Sequence, residues 1–128
     1  MFSHVTAGTH DLDKAMAFFD AVLAPLGIAR THTYPEHGWA GYERAGEGAA
    51  FWIGKPFDGR PAARGNGWMA AFMAPTRAAV DAAHAKALEL GGSDEGAPGI
   101  RAHYAPDYYG AYFRDPEGNK FCLVHRGG

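Results

Sequence analysis

The side chains that could do chemistry are seven histidines, one cysteine and a generous set of aromatics. The densest group is His103-Tyr104-Ala105-Pro106-Asp107-Tyr108-Tyr109, one histidine and three tyrosines in a short span. Flat rings with polar tips suit a planar or amphipathic ligand. Trp52, with Trp39 and Trp68 nearby in pattern, adds to that aromatic surface. Strand alternation would send half of these rings into the core, and the sequence leaves open which half. His4 stands in the first strand-like run, placed either to contact a ligand or to be a hydrogen-bonded cavity histidine. His10, His32, His37, His84 and His125 form no ligand-type cluster, and His84, in mid-helix, is expected to be exposed or flanking. Cys122 has no neighbour in sequence that suggests an activated thiolate, so it reads as a small buried apolar filler.

The elements that must position these residues follow from periodicity. Phe2 to Ala7 reads as a strand. Asp11 is a good N-cap, and Leu12, Ala15, Met16, Phe19, Val22, Leu23 and Leu26 form the stripe of a helix lying on a sheet. Pro25 and Gly27 end it. Strands are predicted around Ile28 to Thr33, Trp39 to Arg44 and Ala49 to Gly54, the last two joined by a Gly46-Glu47-Gly48 turn. Residues 56–66, rich in Pro, Gly and charge, read as a linker. The pattern then restarts. Trp68 to Met73 is strand-like, Thr76 can cap, Arg77 to Leu90 is helical, and Gly91-Gly92 closes it. Extended segments follow near Ser93 to His103, Tyr108 to Arg114 and Lys120 to His125.

The chain is therefore a repeat: module one spans 1–55, module two 67–128, in one domain of 128 residues. Setting His4 against Met69, a shift of 65, brings each strand into its helix with the same spacing. Setting Gly46 to Ile53 against Pro116 to Leu123, a shift of 70, superposes Glu, Gly and Phe. The same register pairs Tyr42 with Tyr112 and Arg44 with Arg114. A repeated βαβββ order is an α+β fold, two half-sheets forming a cup-shaped mixed β-sheet around one cavity with both helices outside.

Composition excludes several functions. The net charge is -2 with no Lys/Arg run, which gives no electrostatic support for nucleic acid or a membrane surface. No apolar run is long enough to span a bilayer, and the N-terminus lacks the pattern of a signal peptide. A single cysteine precludes an intrachain disulfide, and a reducing cytoplasm is the expected compartment.

Two motifs carry a family resemblance over essentially the whole chain. His4-Val5-Thr6 followed by Asp11 to Asp20 resembles the first strand and helix of the vicinal oxygen chelate superfamily of glyoxalases, bleomycin resistance proteins and dioxygenases. Arg114-Asp115-Pro116-Glu117-Gly118-Asn119-Lys120-Phe121 resembles its closing Asp-Pro-x-Gly-Asn hairpin. The resemblance implies a site inside the cup and pairing into homodimers, sometimes with shared sites. It also implies, in metal-dependent members, a divalent ion held by His, Glu or Gln on pseudo-equivalent strands.

Those positions here are His4 and Met69 on the first strands, and Trp52 and Cys122 on the last. Only His4 matches the family pattern. One imidazole, one thiol and one thioether are outside what a hard or borderline divalent ion takes. The expectation is a metal-free cup for a small aromatic molecule, contacted by His4, Trp52, Met69, His103, Tyr104, Tyr108, Tyr109 and Cys122. His4 is its candidate acid-base group. The alternative is a divalent-metal-dependent glyoxalase-type lyase or isomerase, or an extradiol-type dioxygenase, with His103 or Glu43 as the first substitute ligands. A third reading is a structural module whose cup is occluded by Trp52 and Met69.

Overall fold

The structure is a computed structural model that describes residues 1–127. Module one runs β1 (His4–Gly8), α1 (Leu12–Leu23), β2 (Ile28–Tyr34), β3 (Trp39–Arg44) and β4 (Ala50–Gly54). Module two repeats the order as β5 (Ala70–Met73), α2 (Arg77–Glu89), β6 (Ser93–Ile100), β7 (Tyr109–Arg114) and β8 (Lys120–His125). Each module forms one four-stranded mixed sheet, ordered β1-β4-β3-β2 and β5-β8-β7-β6. The first strand of each pairs parallel to the last. The sheets are not closed into a barrel, which fits the cup. Residues 55–69 carry no helix or strand.

The helices begin where their caps dictate. Asp11 accepts from the Lys14 N–H and Thr76 from the Ala79 N–H, each satisfying a donor that the first turn leaves free. α1 ends three residues before Leu26, in a tighter 3₁₀ turn over Ala24–Leu26 that contains Pro25 and closes on Gly27 at φ 76°. A short 3₁₀ turn at Pro35–His37, absent from the sequence reading, links β2 to β3.

One core serves both modules. Phe18, Phe19, Val22 and Leu23 of α1 and Val80, Ala83 and Ala87 of α2 are buried with Ala40, Phe51, Ile53, Phe113, Phe121 and Leu123 of the sheets. Phe19 sits edge-on to Phe51 and to Phe121, with centroids 5.1 Å and 5.3 Å away, so its ring bridges the two sheets. The closing hairpin adds a polar clamp. Asp115 accepts from the Asn119 backbone N–H, and Gly118 takes the positive φ of 95° that the turn needs. Asn119 Nδ2 then donates to the Gly8 carbonyl, and Glu117 Oε1 accepts from Thr9 Oγ1 and the His10 N–H. The Asp-Pro-x-Gly-Asn sequence thus fastens module two to the end of β1.

Two expectations need correcting. The matches between first strands and between last strands hold, because Val5 pairs with Phe51 as Ala70 pairs with Phe121. Tyr42, however, lies opposite Phe51, whereas Tyr112 lies opposite Cys122 and Phe113 opposite Phe121. The counterpart of Tyr42 is Phe113. The β3–β4 connection is one residue longer than the β7–β8 connection, measured between the last paired positions Glu43–Ala50 and Arg114–Lys120. A one-residue slip turns a side chain to the other face. Tyr42 accordingly lies under α1, donating to Asp20 at 2.7 Å, while Tyr112 is on the opposite face of its sheet. His84 is the second correction. It is buried, with Nε2 3.0 Å from Asp94 Oδ1 and 3.2 Å from the Tyr112 carbonyl oxygen, so it ties α2 to β6 and β7.

Candidate functional site

Each sheet has one face on the shared core and one turned away from it, and the pairing registers decide which residues line the second face. In module one these are His4 and Thr6 of β1, Ala50 and Trp52 of β4, Trp39, Gly41 and Glu43 of β3, and His32 and Tyr34 of β2. Trp39 lies opposite Gly54 and Trp52 opposite Gly41. A Cβ at Gly54 would stand 2.3 Å from the Trp39 ring, and one at Gly41 2.8 Å from the Trp52 ring. Both indoles therefore lie across a neighbouring strand at glycine positions that leave room for them. Tyr34 runs nearly parallel to Trp52, at 13° and 6.5 Å between centroids, and the His32 ring is 5.2 Å from Trp52. His4, Thr6, Tyr34, His37, Trp39 and Trp52 line an open cavity of about 400 Å³. Glu43, on the same face, accepts from Thr31 Oγ1 and lies 3.6 Å from His32 Nδ1.

Module two has a different surface. Cys122 is fully buried at its centre, beside Ala71 and Tyr112. Residues 101–108 fold back over this face and bring Tyr108 across Gly110, where a Cβ would stand 2.7 Å from the Tyr108 ring. The Tyr108 hydroxyl is 3.3 Å from Cys122 Sγ and 2.9 Å from the Tyr112 hydroxyl. Burial pushes the Cys122 thiol above its ordinary value, against the opposing pull of Tyr108, Tyr112, Arg101 and Arg126. Burial, with the bonds to Cys122 and Tyr112, likewise raises the Tyr108 hydroxyl. The cluster is protonated at neutral pH. Three cations sit over the tyrosines: Arg101 and Lys120 over Tyr112, at 5.5 Å and 5.8 Å, and Arg126 over Tyr108 at 4.9 Å.

The sequence-predicted residues thus fall in four places. His4 and Trp52 share the module-one cavity. Tyr108 and Cys122 form the module-two cluster, with Tyr104 edge-on to Tyr108 at 5.1 Å and His103 beside Tyr104 at 4.2 Å. Met69 is exposed just before β5. Tyr109 does not belong with them, because strand alternation turns it to the helix side. There its hydroxyl donates to Asp81 of α2 and Arg77 lies over its ring. Trp68 also packs into the core, 5.6 Å from Phe121. Sequence reasoning missed His32, Tyr34, Tyr112, Arg101, Lys120 and Arg126. The Trp–Gly cross-strand pairs were the signal that could have set the face for the first two.

A second cavity, about 230 Å³ and mainly apolar, opens where the modules meet, between Val5 and Phe51 on one side and Ala70 and Phe72 on the other.

The family model described as the glyoxalase/bleomycin resistance protein/dioxygenase superfamily matches residues 1–123. The chain belongs to this superfamily. A glyoxalase/bleomycin resistance protein from Albidiferax ferrireducens T118 is 38% identical, covers 98% of this chain and 99% of its own, and superposes with a TM-score of 0.89. A glyoxalase/bleomycin resistance protein/dioxygenase family enzyme from Burkholderia phytofirmans PsJN shares the fold at 20% identity, with 98% of both chains covered and a TM-score of 0.72. So does TnmS3, an antibiotic binding protein from Streptomyces sp. CB03234, at 22% identity, covering 99% of this chain and 96% of its own, TM-score 0.67. Among curated proteins no relative matches.

Membership in this superfamily raises the question of a divalent ion, and the donors test it. Among the described residues no three His, Cys, Asp or Glu side chains are grouped closely enough to hold one. Of the four pseudo-equivalent positions, Trp52 offers no donor and Met69 a thioether. Cys122 is a thiol that burial keeps protonated, beneath Tyr108. This set does not fit an ion that takes imidazole and carboxylate ligands.

Proposed function

We propose that this superfamily member binds a small planar aromatic molecule without a metal, its ring lying on the indoles of Trp39 and Trp52. The observation that carries the reading is the pair of Trp–Gly cross-strand contacts, which lays two indoles flat on an open face that His4 and Tyr34 border. Glycine at both positions costs strand stability, and a flat aromatic floor is what that cost provides. His4 stands at the rim, next to Ser3 Oγ, placed to donate to or accept from a polar substituent. The fold is shared by an antibiotic binding protein as well as by a family enzyme, so a binding role is within its range.

The working unit we propose is a homodimer in the reducing cytoplasm, the module-one face of one protomer closing over the module-two face of its partner. The module-one face is open on its own chain, and beside residues 101–108, which cover part of the other face, Met69, Met73 and Tyr104 leave apolar surface exposed. The test is a fluorescence titration of EDTA-dialysed protein with planar aromatic compounds. Tryptophan quenching with micromolar affinity, lost in Trp52→Ala, is the expected result. Binding or turnover that needs an added divalent ion would establish the lyase or dioxygenase reading instead.

A further inference from the structure

We infer that the ligand is an organic anion, and that Arg101, Lys120 and Arg126 on the open face of module two hold its charge. The inference deepens the preceding reading and rests on it, since the ring is taken to lie on the aromatic floor of one protomer and the cations to come from its partner.

Five of the cations in the chain are matched by acids within 4.0 Å: Arg30, Arg44, Arg60, Lys86 and Arg114. The other seven have no such partner among the described residues, and three of these, Arg101, Lys120 and Arg126, converge on two hydrogen-bonded tyrosines of one face. Acids of the adjoining segments form no ion pair with them. Asp94 is engaged by His84 and the Gly96 N–H, Glu95 pairs with Arg114, and Asp107, next to Tyr108, pairs with none of the three. A chain of net charge -2 thus gathers three positive charges around Tyr108 and Tyr112 on one face.

Arg101 also has a structural task, donating from Nη1 to the Gly99 carbonyl and from Nη2 to the Ala97 carbonyl. Those two bonds leave further guanidinium N–H groups free. They also hold the charge in place, so that little entropy is lost when an anion arrives. The tyrosine faces beneath keep the cations poised without neutralising them, as an acid partner would. A carboxylate or sulfonate on the edge of a flat ring is the chemistry that fits. The Tyr112 hydroxyl is kept protonated and, accepting from Tyr108, keeps its own proton to donate to it.

The experiment is a calorimetric or fluorescence titration with matched pairs: benzoate, 2-naphthoate and anthracene-2-carboxylate beside the corresponding neutral amides. Each is measured on wild type and on Lys120→Gln/Arg126→Gln, leaving Arg101 to hold its loop. Carboxylates are expected to bind about tenfold more tightly than amides, with a preference that shrinks as salt rises. In the double variant the preference for carboxylate over amide should fall to within about threefold. Amides binding as tightly as carboxylates would overturn the anion assignment and leave the aromatic floor intact. A carboxylate preference that keeps its full size in the double variant would overturn the assignment of the charge to this set of three cations. Failure of the whole series to bind would overturn both.

Discussion

At the scale of the residue, the arrangement turns on what glycine permits and what burial forbids. Gly41 has no Cβ, so the Trp52 indole can cross β3 at its level. Gly41→Val should push the indole off the face, weaken aromatic binding at least about tenfold, and cost roughly 1–3 kcal/mol of stability through overpacking. A ligand titration and a thermal melt read the two effects separately. Cys122 was legible as a buried filler, and the structure gives it a hydrogen bond as well. Because the thiol is enclosed and its ionisation disfavoured, native protein should resist a thiol reagent at pH 8 and react fully once unfolded. Rapid labelling of the native protein would contradict the enclosure by Tyr108. His84 was misread, because an Ala-rich helix with a weak apolar stripe conceals which of its faces is inward.

At the scale of the element, caps, turns and strand positions could be read from sequence almost residue by residue, since they depend on neighbours only. Asp11, Thr76 and the glycines of the turns did what their local chemistry requires. The facing of β3 against β7 was not legible. Matching identities at Tyr42 and Tyr112 concealed a connection one residue longer in module one, and strand alternation turned that difference into opposite faces. The same rule removed Tyr109 from the site.

The closing hairpin makes a pH prediction. Burial raises the Asp115 carboxyl to about 6, well above its ordinary value, although Asn119 pulls the other way. A carboxyl raised in the folded state contributes stability that is full below its unfolded value and is lost as pH rises through the folded one. This group should therefore withdraw up to about 3 kcal/mol between pH 4 and pH 7. Asp115→Asn keeps an acceptor for the Asn119 N–H and removes the titration. Urea melts at successive pH values should show wild-type stability falling relative to the variant over this interval. A difference that is flat or rises with pH would contradict the burial.

At the scale of the whole molecule, the repeat and the family motifs made the α+β architecture of two modules plain from the sequence. What the sequence did not reveal is that the candidate residues of a single chain divide between two surfaces, one of tryptophan and histidine, the other of tyrosine and unpaired cations. That division depends on strand parity and on where residues 101–108 fold, both tertiary properties. It makes dimer formation a consequence of the proposed site: sedimentation of the purified protein should give twice the chain mass of 13.7 kDa. Met73→Glu, on the exposed end of β5, should shift it toward monomer.

The central claim is metal-free binding on the aromatic floor, and one titration addresses it most directly. Protein dialysed against EDTA, with its metal content checked by elemental analysis, is titrated with 2-naphthoate beside Gly41→Val. Saturable binding and tryptophan quenching are expected in the metal-free wild type, and loss of both in the variant. Binding that appears only when one divalent ion per chain is restored, and that survives in Gly41→Val, would contradict it.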